Sequence, residues 1–188
     1  MTWLLHLVLN TPLASPEPSA QELRALEAGR VVVRSDTGRG GSSGLSMRLV
    51  EATAERIWQV VLDFDAYVDF LPYVTASWTE GTPQSLGSGR YRWGMELTTR
   101  GVTTRYRVDC HREDKGMLDW AMTPVGVSPM RGSTGSWQVL PWDQQRVLLV
   151  YVATVDTAWW VPPSVHRQAA DRGLSGIVEL VAQQAEER

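Results

Sequence analysis

Gly40-Gly41-Ser42-Ser43-Gly44 spells G-x-S-x-G, the spacing at which a nucleophilic serine can stand on a sharp strand-to-helix turn. That geometry needs a helix after the serine, whereas a second strand pattern, Leu45 to Val50, follows here, so Thr37 to Gly44 reads as a flexible Gly/Ser loop. His6, His111 and His166 lie too far apart to share metal-ligand spacing, and Cys110 is the only cysteine. Neither a metal site, an internal disulfide nor a cofactor is expected. Acid–base chemistry on an apolar substrate needs a carboxylate or imidazole turned towards it. Alternation places Glu96, Asp109 and His111 on the polar side of their strands and turns Asp119 away from Leu118, Trp120 and Met122. Only Thr104, Tyr106 and Cys110 bring polar atoms to the apolar side. With a pKa of about 10, the Tyr106 phenol is a poor base but a useful donor to a ligand carbonyl; core packing, ligand anchoring and catalysis all remain open for it.

The elements that would position these groups follow from periodicity. Trp3 to Leu9 is an apolar run of signal-peptide length followed by Pro12, Ala14 and Ser15, but no basic residue precedes it, so export and cytoplasmic retention stay equally open. Residues 1–19 are expected to be a signal-like or flexible segment that adds little to the fold. Ser19 and Glu22 form a capping box for a short helix that ends at Gly29, with Leu23 and Leu26 on its apolar face. Val31 to Val33 and Leu45 to Val50 read as strands. Thr53 caps a helix carrying Ile57, Val60 and Val61 on one face, and Phe64, Tyr67, Val68 and Leu71 repeat the helical stripe until Pro72.

From Tyr73 to Val155 the period is two, in about six strands, with turns expected at Gly81 to Gly89, Arg100-Gly101, Glu113 to Gly116, Pro124 to Gly135 and Pro141 to Arg146. Tyr91, Trp93, Met95 and Leu97 fall on one face, as do Val102, Thr104, Tyr106, Val108 and Cys110 on the next strand, then Leu118, Trp120 and Met122, then Trp137 and Val139. Closing a hairpin at Arg100-Gly101 sets Glu96 opposite Arg105, Arg92 opposite Asp109, Met95 opposite Tyr106 and Trp93 opposite Val108. The other face of this sheet is expected to be wet, and Arg90, Arg92, Arg105 and Arg107 on it to pair with neighbouring carboxylates rather than receive an anion. Val147 to Val155 is apolar on both faces and cannot be oriented by pattern. A long helix from Pro162-Pro163 to about Glu186 carries Leu174, Ile177, Val178 and Val181 as one stripe. Gly173 and Gly176 would let it approach the sheet or a ligand closely, or mark loose packing or a kink.

Composition bounds the function. The 188 residues suffice for one domain, 20–188, with a single sizeable core, and 43% apolar with 21% charged residues is ordinary for a globular chain. A net charge of −3 supplies no field to gather nucleic acid, although every basic residue but Lys115 is Arg. Nine tryptophans fit either a Trp-rich filled core or a cavity with flat, rigid walls. Trp159-Trp160 cannot both face the core on a regular element, which leaves open an irregular packed turn, a portal or peripheral membrane contact. Oligomeric state is not legible.

Val50-Glu51-Ala52-Thr53-Ala54-Glu55-Arg56-Ile57-Trp58, continuing through Leu62-Asp63-Phe64-Asp65-Ala66-Tyr67 to Phe70-Leu71-Pro72-Tyr73-Val74, resembles the START-like (SRPBCC, helix-grip) superfamily, in particular its polyketide cyclase and coenzyme Q-binding branch. Gly135-Ser136-Trp137-Gln138-Val139-Leu140-Pro141 resembles that branch's Gly-x-Trp strand, although Asp143-Gln144-Gln145-Arg146 stands where a Gly-Gly-Thr turn is common. The resemblance runs from about Leu45 to Gln184. It implies an α+β helix-grip fold, a curved antiparallel sheet of about six to seven strands wrapped around a long C-terminal helix, with two short helices after the first strand. It also implies a cavity for a hydrophobic small molecule such as a lipid, quinone or polyketide, and carries no catalytic motif. The residues expected to line that cavity are Tyr91, Trp93, Met95, Leu97, Tyr106, Val108, Trp120, Met122, Trp137, Leu174, Ile177 and Val181. A carrier or chaperone is the reading adopted, with a cyclase or dehydratase in the same cavity, or a ligand-free interaction domain, as alternatives.

Overall fold

The computed structural model of the protein describes residues 16–38, 41–99, 102–112, 116–126, 128, 130–157 and 163–187, and for 37–38, 99, 102, 157 and 163–172 the backbone alone. The signal-like run up to Ser15, with His6, and the Trp159-Trp160 pair lie outside the described residues, as does the His166 side chain.

Helix α1, Ala20–Glu27, begins at the expected capping box, with Ser19 Oγ accepting from the Glu22 backbone N–H and the Glu22 carboxylate accepting from the Ser19 N–H. Strands β1, Val32–Gly38, and β2, Gly41–Val50, form a hairpin. The Gly/Ser stretch is therefore strand on both sides of Gly38↔Gly41, which corrects the loop expected over Thr37 to Gly44. Thr53 caps α2, Ala54–Leu62, and the second stripe resolves into a 3₁₀ turn at Phe64–Ala66 and the short α3, Tyr67–Phe70. Phe64 and Tyr67 are buried, whereas Val68 is exposed.

Strand β3, Val74–Gly81, is followed by a one-turn helix α4, Pro83–Leu86, inside the expected turn. Then come β4, Arg90–Thr99, β5, Val102–His111, β6, Met117–Val125, β7, Met130–Pro141, and β8, Val147–Thr157, before α5, Pro163–Glu187. All eight strands join one antiparallel sheet in the order β1-β2-β8-β7-β6-β5-β4-β3. The count exceeds the expected six to seven because the first hairpin extends the meander through β2–β8 pairing. The turn expected over Pro124 to Gly135 is largely strand as well. Gly135 lies in β7, where a side chain would meet the Val152 carbonyl and the Trp120 indole, so glycine is what admits the tryptophan.

The β4–β5 register is the expected one at every pair. Arg92 meets Asp109 at 2.6 Å and Arg105 meets Glu96 at 2.6 Å, while Arg107 reaches Glu80 at 3.1 Å, so three of the four arginines on this face are ion-paired as expected. At the other end of the sheet the outer face is dry. There Leu26 of α1 closes over Val32, Leu45, Met47, Leu49, Leu148 and Val150, which corrects the expectation of one wet side. This second core explains the double apolar pattern of β8, whose even-numbered residues Leu148 and Val150 face α1 while Leu149, Tyr151 and Ala153 face α5.

Candidate functional site: an apolar cavity between sheet and helix

Helix α5 crosses the inner face of the sheet, anchored at β2. Ser46 Oγ donates to the Leu174 carbonyl at 2.8 Å, and Arg48 donates to the Glu179 carbonyl and pairs with Glu186 at 2.9 Å. Gly44 is the point of closest approach. A Cβ there would lie 2.8 Å from the Arg34 carbonyl and nearer still to Leu174 Cδ1. Towards its C-terminal end α5 packs fully, with Val178, Val181, Ala182 and Ala185 buried in the core that α2 completes.

Beyond this contact the helix stands off the sheet, leaving a cavity of about 420 Å³, inside the range of roughly 300–1,000 Å³ common for small-molecule sites. Trp93, Met95, Leu97, Val108, Trp120, Met122, Trp137, Leu174 and Ile177 line it, nine of the residues expected there. Tyr91, Tyr106 and Val181 do not. Tyr91 turns its ring edge-on to Phe64 at 6.0 Å. Tyr106 is buried with its hydroxyl 3.0 Å from Ser128 Oγ, and Val181 is wholly enclosed between α5 and the core. Of the readings open for Gly173 and Gly176, the structure fits loose packing: both front the cavity, and a Cβ on either would meet nothing within 4 Å, so they widen the space.

Two aromatic groups form much of the wall. On one side Phe64 stacks on Trp93 at 5.1 Å with planes 6° apart, and Tyr67 meets the same indole edge-on at 4.9 Å. On the sheet, Tyr151 lies 4.4 Å from Trp137 and stacks with Trp120 at 5.8 Å. Phe64, Tyr67, Leu71, Val61 and Tyr151 were missed as lining residues. The helical stripe signalled that the first four were buried without showing that they fronted open space, and β8 offered no alternation by which Tyr151 could be placed. Of the described tryptophans, Trp58 lies in the filled core and Trp93, Trp120 and Trp137 on the cavity wall.

The lining is almost free of charge and of committed polarity. No Asp, Glu, His, Lys or Arg borders the cavity among the described residues, nor do those residues contain a cluster of three His, Cys, Asp or Glu that could hold a metal. Tyr67 donates to the Val61 carbonyl at 2.7 Å and Ser133 to the Thr154 carbonyl at 2.9 Å. Burial pushes the Cys110 thiol up to about 12 and raises the Tyr67 and Tyr151 phenols above their ordinary values, so all three are neutral near pH 7. The Trp93 and Trp120 indole N–H groups are buried without an oxygen or nitrogen acceptor.

A sheet gripping a C-terminal helix over such a cavity defines the helix-grip class. The family model for polyketide cyclase / dehydrase and lipid transport matches residues 50–180, and the chain belongs to that START-like family. Among solved structures it is similar to the Zhui aromatase/cyclase of a Streptomyces species, at 17% identity and TM-score 0.64 over 84% of this chain and 96% of that one. It is also similar to a START superfamily protein of Mycobacterium smegmatis, at 15% identity and TM-score 0.61 over 84% and 97%. A STAR-related lipid transfer protein of Xanthomonas axonopodis matches at 14% identity and TM-score 0.64 over 82% and 93%. These likenesses show the fold. No curated protein sequence matches the chain.

Proposed function

We propose that the protein is a carrier or chaperone that holds one hydrophobic small molecule, of the lipid, quinone or polyketide kind, between its sheet and α5. The observation that carries this reading is the cavity of about 420 Å³ with its apolar, aromatic wall. A space of this size lined by Trp, Phe, Met and Leu gains free energy when an apolar molecule replaces the water in it, at roughly 25 cal/mol per Å² of apolar surface buried. The family to which the chain belongs includes lipid transport, and the name of the similar Xanthomonas protein supports the same reading.

A cyclase or dehydratase acting in this cavity is the competing reading, supported by the similar Zhui aromatase/cyclase. Such chemistry needs an acid or base facing the substrate. Among the described residues the wall offers only hydroxyls, a thiol and indoles, with the thiol and two of the phenols held neutral by burial. This favours binding over turnover. The test is organic extraction of the purified full chain followed by mass spectrometry: one apolar compound, recovered in near-stoichiometric amount, is expected. Its recovery in chemically altered form after incubation would favour the enzyme. A chain carrying nothing and taking up no apolar compound would contradict both.

A further inference from the structure

Beside the unpaired Trp93 and Trp120 indole N–H groups, the wall of this cavity carries a tyrosine whose hydroxyl is also left without a partner among the described residues. The Tyr151 ring is fixed between Trp137 and Trp120 and borders the cavity, and no hydrogen bond is made by its hydroxyl among the described residues. The hydroxyls of Tyr67 and Ser133 on the same wall are both committed to backbone carbonyls. An unpaired hydroxyl in an apolar enclosure is costly unless something bound there satisfies it. Trp120 stacked on one side and Trp137 tilted against it at 42° restrict the ring, so little side-chain freedom is lost when the hydroxyl bonds to a ligand.

Resting on the carrier reading above, we propose that Tyr151 is the polar anchor of the site and that the cavity selects an uncharged ligand bearing an acceptor oxygen, such as a ketone, quinone or ester, over the corresponding carboxylate. Burial raises the phenol above its ordinary value, from desolvation alone, so it stays protonated and can donate across the physiological range. A bound carboxylate would lose its water with no Arg, Lys or His among the described lining residues to replace it, and a buried unpaired anion is strongly disfavoured. The ketone oxygen of a neutral ligand needs only one donor. Tyr106, the anchor suggested by strand alternation, is engaged with Ser128 and borders none of this space.

Three naphthalene probes of one shape separate the claims: the dimethylamino propionyl ketone prodan, its propyl analogue lacking the oxygen, and the matching carboxylate. Each is titrated by fluorescence into the full chain and into Tyr151→Phe, which keeps the ring and its stacking. Wild type should bind prodan more tightly than either analogue. Tyr151→Phe should weaken prodan roughly 3- to 10-fold, as expected for one neutral hydrogen bond, and leave the propyl analogue unchanged. Equal loss for prodan and the propyl analogue, or no loss for either, would overturn the anchor while leaving the carrier intact. A carboxylate bound as tightly as prodan would overturn the selection for neutral ligands. Failure of all three to bind wild type would instead strike the carrier reading itself.

Discussion

Gly44 lies where α5 meets the sheet and Gly176 where α5 stands off it, and the structure gives them opposite sensitivities. At Gly44 an added methyl meets the Arg34 backbone and Leu174, so Gly44→Ala must push α5 off the sheet or bend β2, and should cost roughly 1–3 kcal/mol. At Gly176 the same methyl meets nothing, and replacing an interior helical glycine by alanine should stabilise by about 1 kcal/mol. Urea unfolding midpoints of the two variants check both signs; destabilisation by Gly176→Ala would mean that α5 sits closer to the sheet than described. Sequence alone left Gly173 and Gly176 open between close approach and loose packing, and did not single out Gly44. A glycine in a helix and one in a strand look alike in the chain, and only the packing says which is filled from the other side. Tyr106 and Tyr151 make the same point. Alternation placed Tyr106, with Thr104 and Cys110, on the apolar face, and it is buried there, but which tyrosine borders open space depends on the arch of the sheet.

At the scale of the element, legibility followed how many independent patterns agreed. In β4 and β5 charge pairing and apolar alternation demand the same register, and a slip of one residue would violate both, so the hairpin was readable residue by residue. Because these ion pairs are largely exposed, Glu96→Arg should cost no more than about 1 kcal/mol. The exchange E96R with R105E should recover most of that loss; a double variant no better than the single one would show that the pairing contributes nothing. The Gly/Ser hairpin and β8 were opaque for the opposite reason. Small residues depleted from strands in general are required at Gly44 by α5, and β8 is dry on both sides because α1 covers its far face. Helix α1 is tied down by Glu22, whose carboxylate lies 2.7 Å from Arg34 and is held at about 2, chiefly by that hydrogen bond. A carboxylate depressed in the folded state contributes stability above its unfolded value that is lost as pH falls through the folded one. Wild type should therefore exceed Glu22→Gln in stability at neutral pH, and the gap should close as pH falls from about 4.5 towards 2. A gap independent of pH would show that Glu22 acts only through packing.

At the scale of the whole molecule, one end of α5 is sealed against β2 and α2 while its cavity-facing turns carry glycines, so that the chain is well packed at one end and open at the other. An open apolar cavity stabilises nothing by itself, but a ligand that binds only the folded state adds RT ln(1 + [L]/Kd), about 2.7 kcal/mol at a concentration roughly 100-fold above Kd. Unfolding of the protein should therefore shift to higher urea as a neutral apolar probe is added. The most direct test of the carrier account pairs that probe with Gly176→Trp, which sets a large ring into space that nothing occupies. Fluorescence titration with prodan should saturate near one probe per wild-type chain, while Gly176→Trp, folded and at least as resistant to urea, should bind it far more weakly. Undiminished binding by a folded Gly176→Trp, or none by wild type, would contradict the assignment of this cavity as the binding site.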